Sequence, residues 1–213
     1  MKKVSAEQIQ ENLDKFYSYI DQYISEDRRE NLKEFYKGIE ETLSTSPASS
    51  KHAHHNCFPG GYLDHVLRVV ESALVFDRVW SKFGQKIDYT TEELVFSALN
   101  HDLGKLGTND QPFYVPNDSQ WHIEKQGAYY KYNTNISHMR IADRSLYYLQ
   151  QAGIPVTETE FLAIKLHDGL YEEGNKAYYM PYGQDFQIKT NLVHILHQAD
   201  LMSAKIEDQI NKS

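Results

Sequence analysis

The sequence is poor in the features that mark secreted and membrane proteins. It contains a single cysteine, Cys57, which excludes an internal disulfide and fits the reducing cytoplasm, where we expect the protein to reside. No apolar run comes near the roughly 18 residues that a membrane-spanning helix needs, so we expect no membrane association. Lys2 and Lys3 are followed by no apolar segment, which argues against a secretory signal there.

Basic residues are also scarce: 22 lysines and arginines stand against 30 aspartates and glutamates, a formal net charge of −8. Broad binding of nucleic acid relies on basic patches and is therefore not expected. A small anionic substrate stays compatible with this charge, because a bound metal ion reverses the local field. The ten histidines are the more informative excess, since several recur at well-separated helical positions.

The hydrophobic pattern predicts an all-α fold. Amphipathic helices are expected over 5–25 and 27–44, and the Ser-rich segment 44–50 divides the chain into an N-terminal helical arm (1–50) and a main domain (51–213). Further helices are predicted over 62–83, 91–101, 137–151, 157–167 and 189–210. Thr91 is the expected N-cap of the second of these, and a capping box begins at Thr157. Residues 107–134 are expected to form a long loop with room for a short helix, and 177–188 a small hairpin.

Six side chains are the candidates for a metal site: His65, His101, Asp102, His138, His167 and Asp200. Apart from the adjacent pair, each lies on, or at the end of, a different predicted helix, and a helical bundle can direct such side chains into one interior site. Imidazole suits ions such as Fe, Co, Ni and Zn, and carboxylate suits Mn and Mg. Asp102 has two oxygens, so it is able to bridge two ions about 3.5–4 Å apart.

This order of residues resembles the HD superfamily of metal-dependent phosphohydrolases. Three short segments carry the resemblance: Gly60-Gly61-Tyr62-Leu63-Asp64-His65, His101-Asp102-Leu103-Gly104-Lys105 and His197-Gln198-Ala199-Asp200. The resemblance covers about residues 55–205. His138 and His167 are similar to the two extra histidines of members that bind two metals. The string from His167 to Tyr171 is faintly similar to the HD-GYP segment, but it lacks the doubled histidine and the Gly-Tyr-Pro, so hydrolysis of cyclic-di-GMP is not implied.

The resemblance implies a fold, a reaction and a ligand set. His65, His101, Asp102 and Asp200 would hold a first divalent ion, and Asp102, His138 and His167 a second. A hydroxide bridging the two ions would attack a phosphomonoester or phosphodiester, with a nucleotide as the favoured substrate. Mn, Fe, Co, Ni or Zn are the expected ions, with Mg as an alternative. Asp102 and Lys105 would be the catalytic residues, with Lys105 contacting a substrate phosphate as a point charge.

Substrate contacts are predicted at Lys105, His55, Arg140, Arg144 and Tyr171. All of these except Tyr171 also have a plainer interpretation. Lys105 is also placed to contact the last carbonyls of its helix, and His55 is equally well explained as an exposed loop histidine. The two arginines are also explained by ordinary surface ion pairs.

Two other functions stay open at this stage. Some HD-fold proteins are di-iron oxygenases with a similar ligand set, and a non-catalytic nucleotide-binding module would retain the same fold. The N-terminal helices are candidates for forming a homo-oligomer.

Overall fold

The structure is a computed structural model that describes residues 4–108, 111–180 and 187–212. The described chain is all-α, as predicted, and its only paired strands are two of three residues each. The helices are α1 (Ala6–Tyr23), α2 (Glu26–Gly38), α3 (Glu40–Thr45), α4 (Gly61–Lys82), α5 (Thr91–Asn100), α6 (Gln120–Gln126), α7 (Ile141–Gln151), α8 (Glu158–Leu166), α9 (Lys176–Tyr179) and α10 (Leu192–Lys212).

The N-terminal helices share one core with the rest of the described chain. Phe16 and Ile20 of α1 are fully buried in the same cluster as Val66 of α4 and Leu99 of α5. A buried ion pair also joins α2 to α8, because Arg28 Nη2 lies 2.6 Å from Glu160 Oε1. Helices α1 and α2 therefore pack as part of the bundle, and the core continues across the predicted boundary at residue 50.

Helix α4 is the centre of the bundle and packs against α10, α5 and α1. Its buried side includes Leu63, Val66 and Val70, the hydrophobic stripe seen in the sequence. Helix α5 begins with a capping box formed by Thr90 and Glu93, so Thr90 is the N-cap and the prediction of Thr91 was wrong by one residue. The capping box of Thr157 and Glu160 at α8 is confirmed.

The region 107–134, predicted as a long loop with a short helix, contains α6 between two strands. Strand β1 (Tyr114–Pro116) pairs antiparallel with β2 (Tyr130–Tyr132), and Val115 lies opposite Lys131. The hairpin predicted over 177–188 is not found where the chain is described, since 176–179 form α9; residues 181–186 lie outside the described residues. No described helix combines the length and apolarity required to span a bilayer.

Candidate metal centre

Four helices bring their site residues to one point. His65 lies in the second turn of α4, and Asp200 lies in α10, which packs along α4. His101 and His167 are the C-cap residues of α5 and α8. Asp102 follows His101 at the start of a 3-10 turn over Leu103–Leu106. Five of the six residues predicted from the sequence therefore converge, and together they form groups that could hold a metal ion.

Asp102 lies between His65 and His101 on one side and His167 on the other. Its Oδ2 atom is 3.6 Å from His65 Nε2 and 3.4 Å from His101 Nε2. Its Oδ1 atom is 3.6 Å from His167 Nε2. Asp200 completes the first set, with Oδ1 3.1 Å from His65 Nε2 and 3.8 Å from His101 Nε2. Each oxygen of Asp102 thus faces a different part of the centre.

The histidine rings are held with their Nε2 atoms directed inward. The Nδ1 atoms of His101 and His167 donate to the carbonyls of Ala98 and Ile164 at 2.8 and 2.7 Å. Because a backbone carbonyl only accepts, each Nδ1 carries the proton, and in the neutral ring Nε2 then has a free lone pair. The Nε2 atom of His101 is buried without a hydrogen-bond partner among the described residues, and that of His65 is buried and faces the Asp200 carboxylate. Such atoms fit a metal ion, which would satisfy them.

Glu207 is a site residue that the sequence analysis missed. Its Oε2 atom is 3.0 Å from His65 Nδ1, and its Oε1 atom accepts a hydrogen bond from Arg68 Nε at 3.1 Å. This carboxylate fixes the orientation of His65 in the manner of outer-shell partners at metal sites. The helical spacing could have indicated this role. Glu207 lies seven residues, or two turns, beyond Asp200 on α10, so both side chains fall on one face of the helix.

Lys105 lies inside the centre. Its Nζ atom is 2.5 Å from Asp102 Oδ2, and its side chain is nearly buried. Burial disfavours the charged form of both Lys105 and Asp102, but the attraction between the two groups outweighs this effect. Asp102 raises the pKa of Lys105, and Lys105 with His101 holds the pKa of Asp102 well below its usual range. Lys105 thus contributes a fixed positive charge beside the candidate ligands, and its contact with a substrate phosphate stays a prediction.

The turn after His101 depends on a glycine. A Cβ atom at Gly104 would lie 2.2 Å from the carbonyl oxygen of Ile141, at the start of α7. The Gly104 N–H donates to Ser145 Oγ at 2.8 Å, and that hydroxyl donates to the carbonyl of His101 at 3.0 Å. The absence of a side chain therefore allows α7 to approach and hold the ligand-bearing turn.

His138 does not join the cluster. A helix was predicted from residue 137, but α7 begins at Ile141 with Arg140 as its N-cap. His138 consequently lies in the preceding loop, where it is exposed. Arg144 is buried, and its Nη2 atom donates to the carbonyl of Ser137 at 2.6 Å, so it secures this loop.

The other predicted substrate contacts lie at different depths. Arg140 Nη1 is 3.0 Å from Glu172 Oε1 on the surface. Tyr171 is 77% exposed on a 3-10 turn. His55 approaches the centre, with its ring centroid 4.7 Å from that of His65 and its Nε2 atom buried. Burial and the neighbouring His65 lower the pKa of His55 to about 2, so its imidazole is neutral.

The centre is buried except along one edge. The side chains of His65, His101, Asp102 and His167 are at most 3% exposed, whereas that of Asp200 is 17% exposed. A centre with one accessible edge is typical of catalytic rather than closed structural metal sites.

Neighbouring carboxylates control the protonation of two of the histidines. Burial disfavours the charged imidazolium, but Glu207 and Asp200 raise the pKa of His65 to about 10, and Asp168 and Asp102 raise that of His167 to about 10 as well. Protons thus compete with a metal ion for these rings.

Comparisons of the chain with models of protein families, with curated proteins and with solved structures find no match in any of the three.

Proposed function

We propose that the protein is a metal-dependent phosphohydrolase of the HD type that cleaves a phosphomonoester or phosphodiester, with a nucleotide as the favoured substrate. The convergence of three histidine Nε2 atoms and two carboxylates at a centre with one accessible edge is the observation that supports this proposal. The matching order of His65, His101-Asp102 and Asp200 along the chain supports the HD assignment.

The chemistry follows from the donor set. Divalent ions bound there would lower the pKa of a water molecule and offset charge on phosphoryl oxygens. His65, His101, Asp102 and Asp200 would hold one such ion, with Asp102 Oδ1 and His167 on the other side. Lys105 supplies a pre-positioned ammonium next to Asp102, where it would stabilise negative charge that develops on the phosphate.

Metal analysis and a phosphate-release assay test the proposal. The purified protein would be stripped with a chelator, reloaded separately with Mn, Fe, Co, Ni, Zn or Mg, and assayed on nucleoside monophosphates, triphosphates, cyclic nucleotides and p-nitrophenyl phosphate. We expect metal-dependent hydrolysis, measured as released phosphate or, where a cyclic diester is opened, as nucleoside monophosphate, to be lost in Asp102→Ala and retained in Asp14→Asn, a change at an exposed carboxylate on α1.

The outcomes separate the alternatives. Phosphate release that survives both chelation and Asp102→Ala would contradict the proposal. An iron-loaded sample that consumes oxygen with an organic substrate, and releases no phosphate, would indicate the oxygenase alternative. Nucleotide binding without turnover under every metal would indicate the non-catalytic module.

A further inference from the structure

A cavity of about 670 Å³ adjoins the metal centre. Asp168 lines it, and the Oδ2 atom of this residue is 3.5 Å from Nε2 of His167. Asp168 is thus the residue through which the cavity wall meets the centre, since none of the five converging residues lines the cavity. The volume is within the range of roughly 300–1,000 Å³ typical of small-molecule sites. A phosphorylated molecule bound at the centre would have room for its organic part here.

Aromatic and apolar side chains line one part of the cavity. Phe113 precedes β1 and Tyr132 ends β2, with ring centroids 5.3 Å apart, and Ile136 and Met139 lie on the loop that leads to α7. The Tyr132 ring stacks on Tyr114, with centroids 5.6 Å apart, but the residue is 62% exposed and so remains accessible to a ligand. Exposed rings beside apolar side chains suit a planar aromatic ligand, because every nucleobase offers a π face for stacking.

The charges in the cavity argue against a polyphosphate. Its two described cations are already paired, Arg140 with Glu172 and Lys165 with Asp143. Asp168 and Glu172 also line the cavity, so additional phosphate groups would meet carboxylates. The Asp168 side chain is about half exposed and has His167 as its only ion-pair partner among the described residues. It is free to accept hydrogen bonds from hydroxyl groups such as those of a sugar.

His138 is the remaining polar side chain of interest. It lines the cavity, is exposed, and makes no hydrogen bond or ion pair with the residues that the structure describes. Its place in the cavity wall suits contact with a ligand, and it is absent from the groups of side chains that could share an ion.

We infer that this cavity binds the nucleoside part of a nucleoside monophosphate, and that Tyr132, His138 and Asp168 determine this specificity. The inference rests on the proposed function for the phosphate, which would lie at the metal centre. It assigns His138 to the substrate rather than to a second metal ion.

Titration calorimetry on the full-length, metal-free protein tests the nucleoside site without relying on turnover. The probes are adenosine, guanosine, cytidine and thymidine, their 5′-monophosphates and 5′-triphosphates, and ribose 5-phosphate. At least one nucleoside should bind saturably, and its monophosphate should bind more tightly than either its triphosphate or ribose 5-phosphate. Absence of nucleoside binding, or tightest binding by a triphosphate or by ribose 5-phosphate, would overturn the inference.

Binding measurements on single-residue variants test which cavity side chains contact the ligand. Tyr132→Ala should weaken nucleoside binding by roughly 5- to 150-fold, the range for loss of one base–aromatic stack. His138→Ala and Asp168→Asn should weaken binding of the monophosphate, whereas His122→Ala, a change at an exposed histidine outside the cavity, should not. Unchanged binding in all three cavity variants would remove these residues from the site.

Metal content separates the two assignments of His138. His138→Ala should retain the wild-type number of ions per chain, measured by elemental analysis. Loss of one ion would show that His138 is a ligand and would overturn its assignment to the substrate.

Failure of this inference is distinguishable from failure of the proposed function. Metal-dependent hydrolysis of p-nitrophenyl phosphate that no nucleoside inhibits would refute the nucleoside cavity and uphold the phosphohydrolase. Saturable nucleoside binding without hydrolysis of any probe would refute the phosphohydrolase and uphold the cavity.

Discussion

The two oxygens of Asp102 face regions of different construction. On the Oδ2 side, His65, His101 and Lys105 are buried. On the Oδ1 side, His167 is followed by the half-exposed Asp168, and the cavity bordered by the 133–140 loop begins there. The first side, which we call the helical side, also holds Asp200 and Glu207 of α10, whereas the second, which we call the loop side, borders the 133–140 loop; His101 and His167 are both helix C-caps. On the proposed function, we expect metal affinity to depend mainly on the helical side and substrate choice on the loop side.

The largest effect should come from removing a ligand on the helical side. We expect His101→Ala to lower metal affinity by more than about 100-fold, beyond the roughly 10- to 100-fold typical for loss of an outer-shell partner. Chelator competition followed by elemental analysis measures this, with the exposed-loop variant His54→Ala as control. Equal metal affinity in His101→Ala and wild type would remove the distinction between the two sides.

Metal affinity should also rise steeply with pH. The pKa values of His65 and His167 in the metal-free protein are raised to about 10, so both rings are protonated at neutral pH and must release protons to bind metal. Apparent affinity should therefore increase by about tenfold per pH unit for each proton displaced. Titrations at pH 6, 7, 8 and 9 would show this, and a flat profile would contradict it.

Glu207→Gln should give a smaller loss on the helical side. The amide cannot supply the negative charge that orients and polarises His65, so we expect metal affinity to fall by about 10- to 100-fold. Glu71→Gln is the matched control, because Glu71 lies on the same helix as His65 but is half exposed and pairs with Lys15. A loss of equal size in both variants would exclude a specific role for Glu207.

The smallest expected effect concerns the turn that carries Asp102. Gly104→Ala should lower the free energy of unfolding by about 1–3 kcal/mol, because the new methyl group would meet the Ile141 carbonyl and force the backbone to shift. Gly38→Ala, where no atom lies within 4 Å, should instead raise it by about 0.4–1 kcal/mol. Chemical denaturation measures both, and equal effects would show that the close approach at Gly104 is unimportant.

Sequence-based prediction succeeded, on both sides of the centre, for residues that lie on a periodic helix or at its end. His65, His101, His167 and Asp200 are such residues, and the faces of their helices are readable from a 3.6-residue period. His138 was predicted in a helix from residue 137, but that helix begins four residues later, at Ile141, so His138 lies outside it. Glu207 went unnoticed because a buried acid in a helix resembles a solvated one until its partners are known.

The all-α fold, the order of the candidate ligand residues along the chain and the ability of Asp102 to offer two oxygens all follow from local sequence, because periodicity and residue type are local properties. Tertiary packing was needed to show that the N-terminal helices share the core, that Glu207 and Arg68 support His65, and that His138 lines a cavity beside Asp168. These depend on contacts between segments far apart in the chain, and no local pattern specifies which distant side chains will meet.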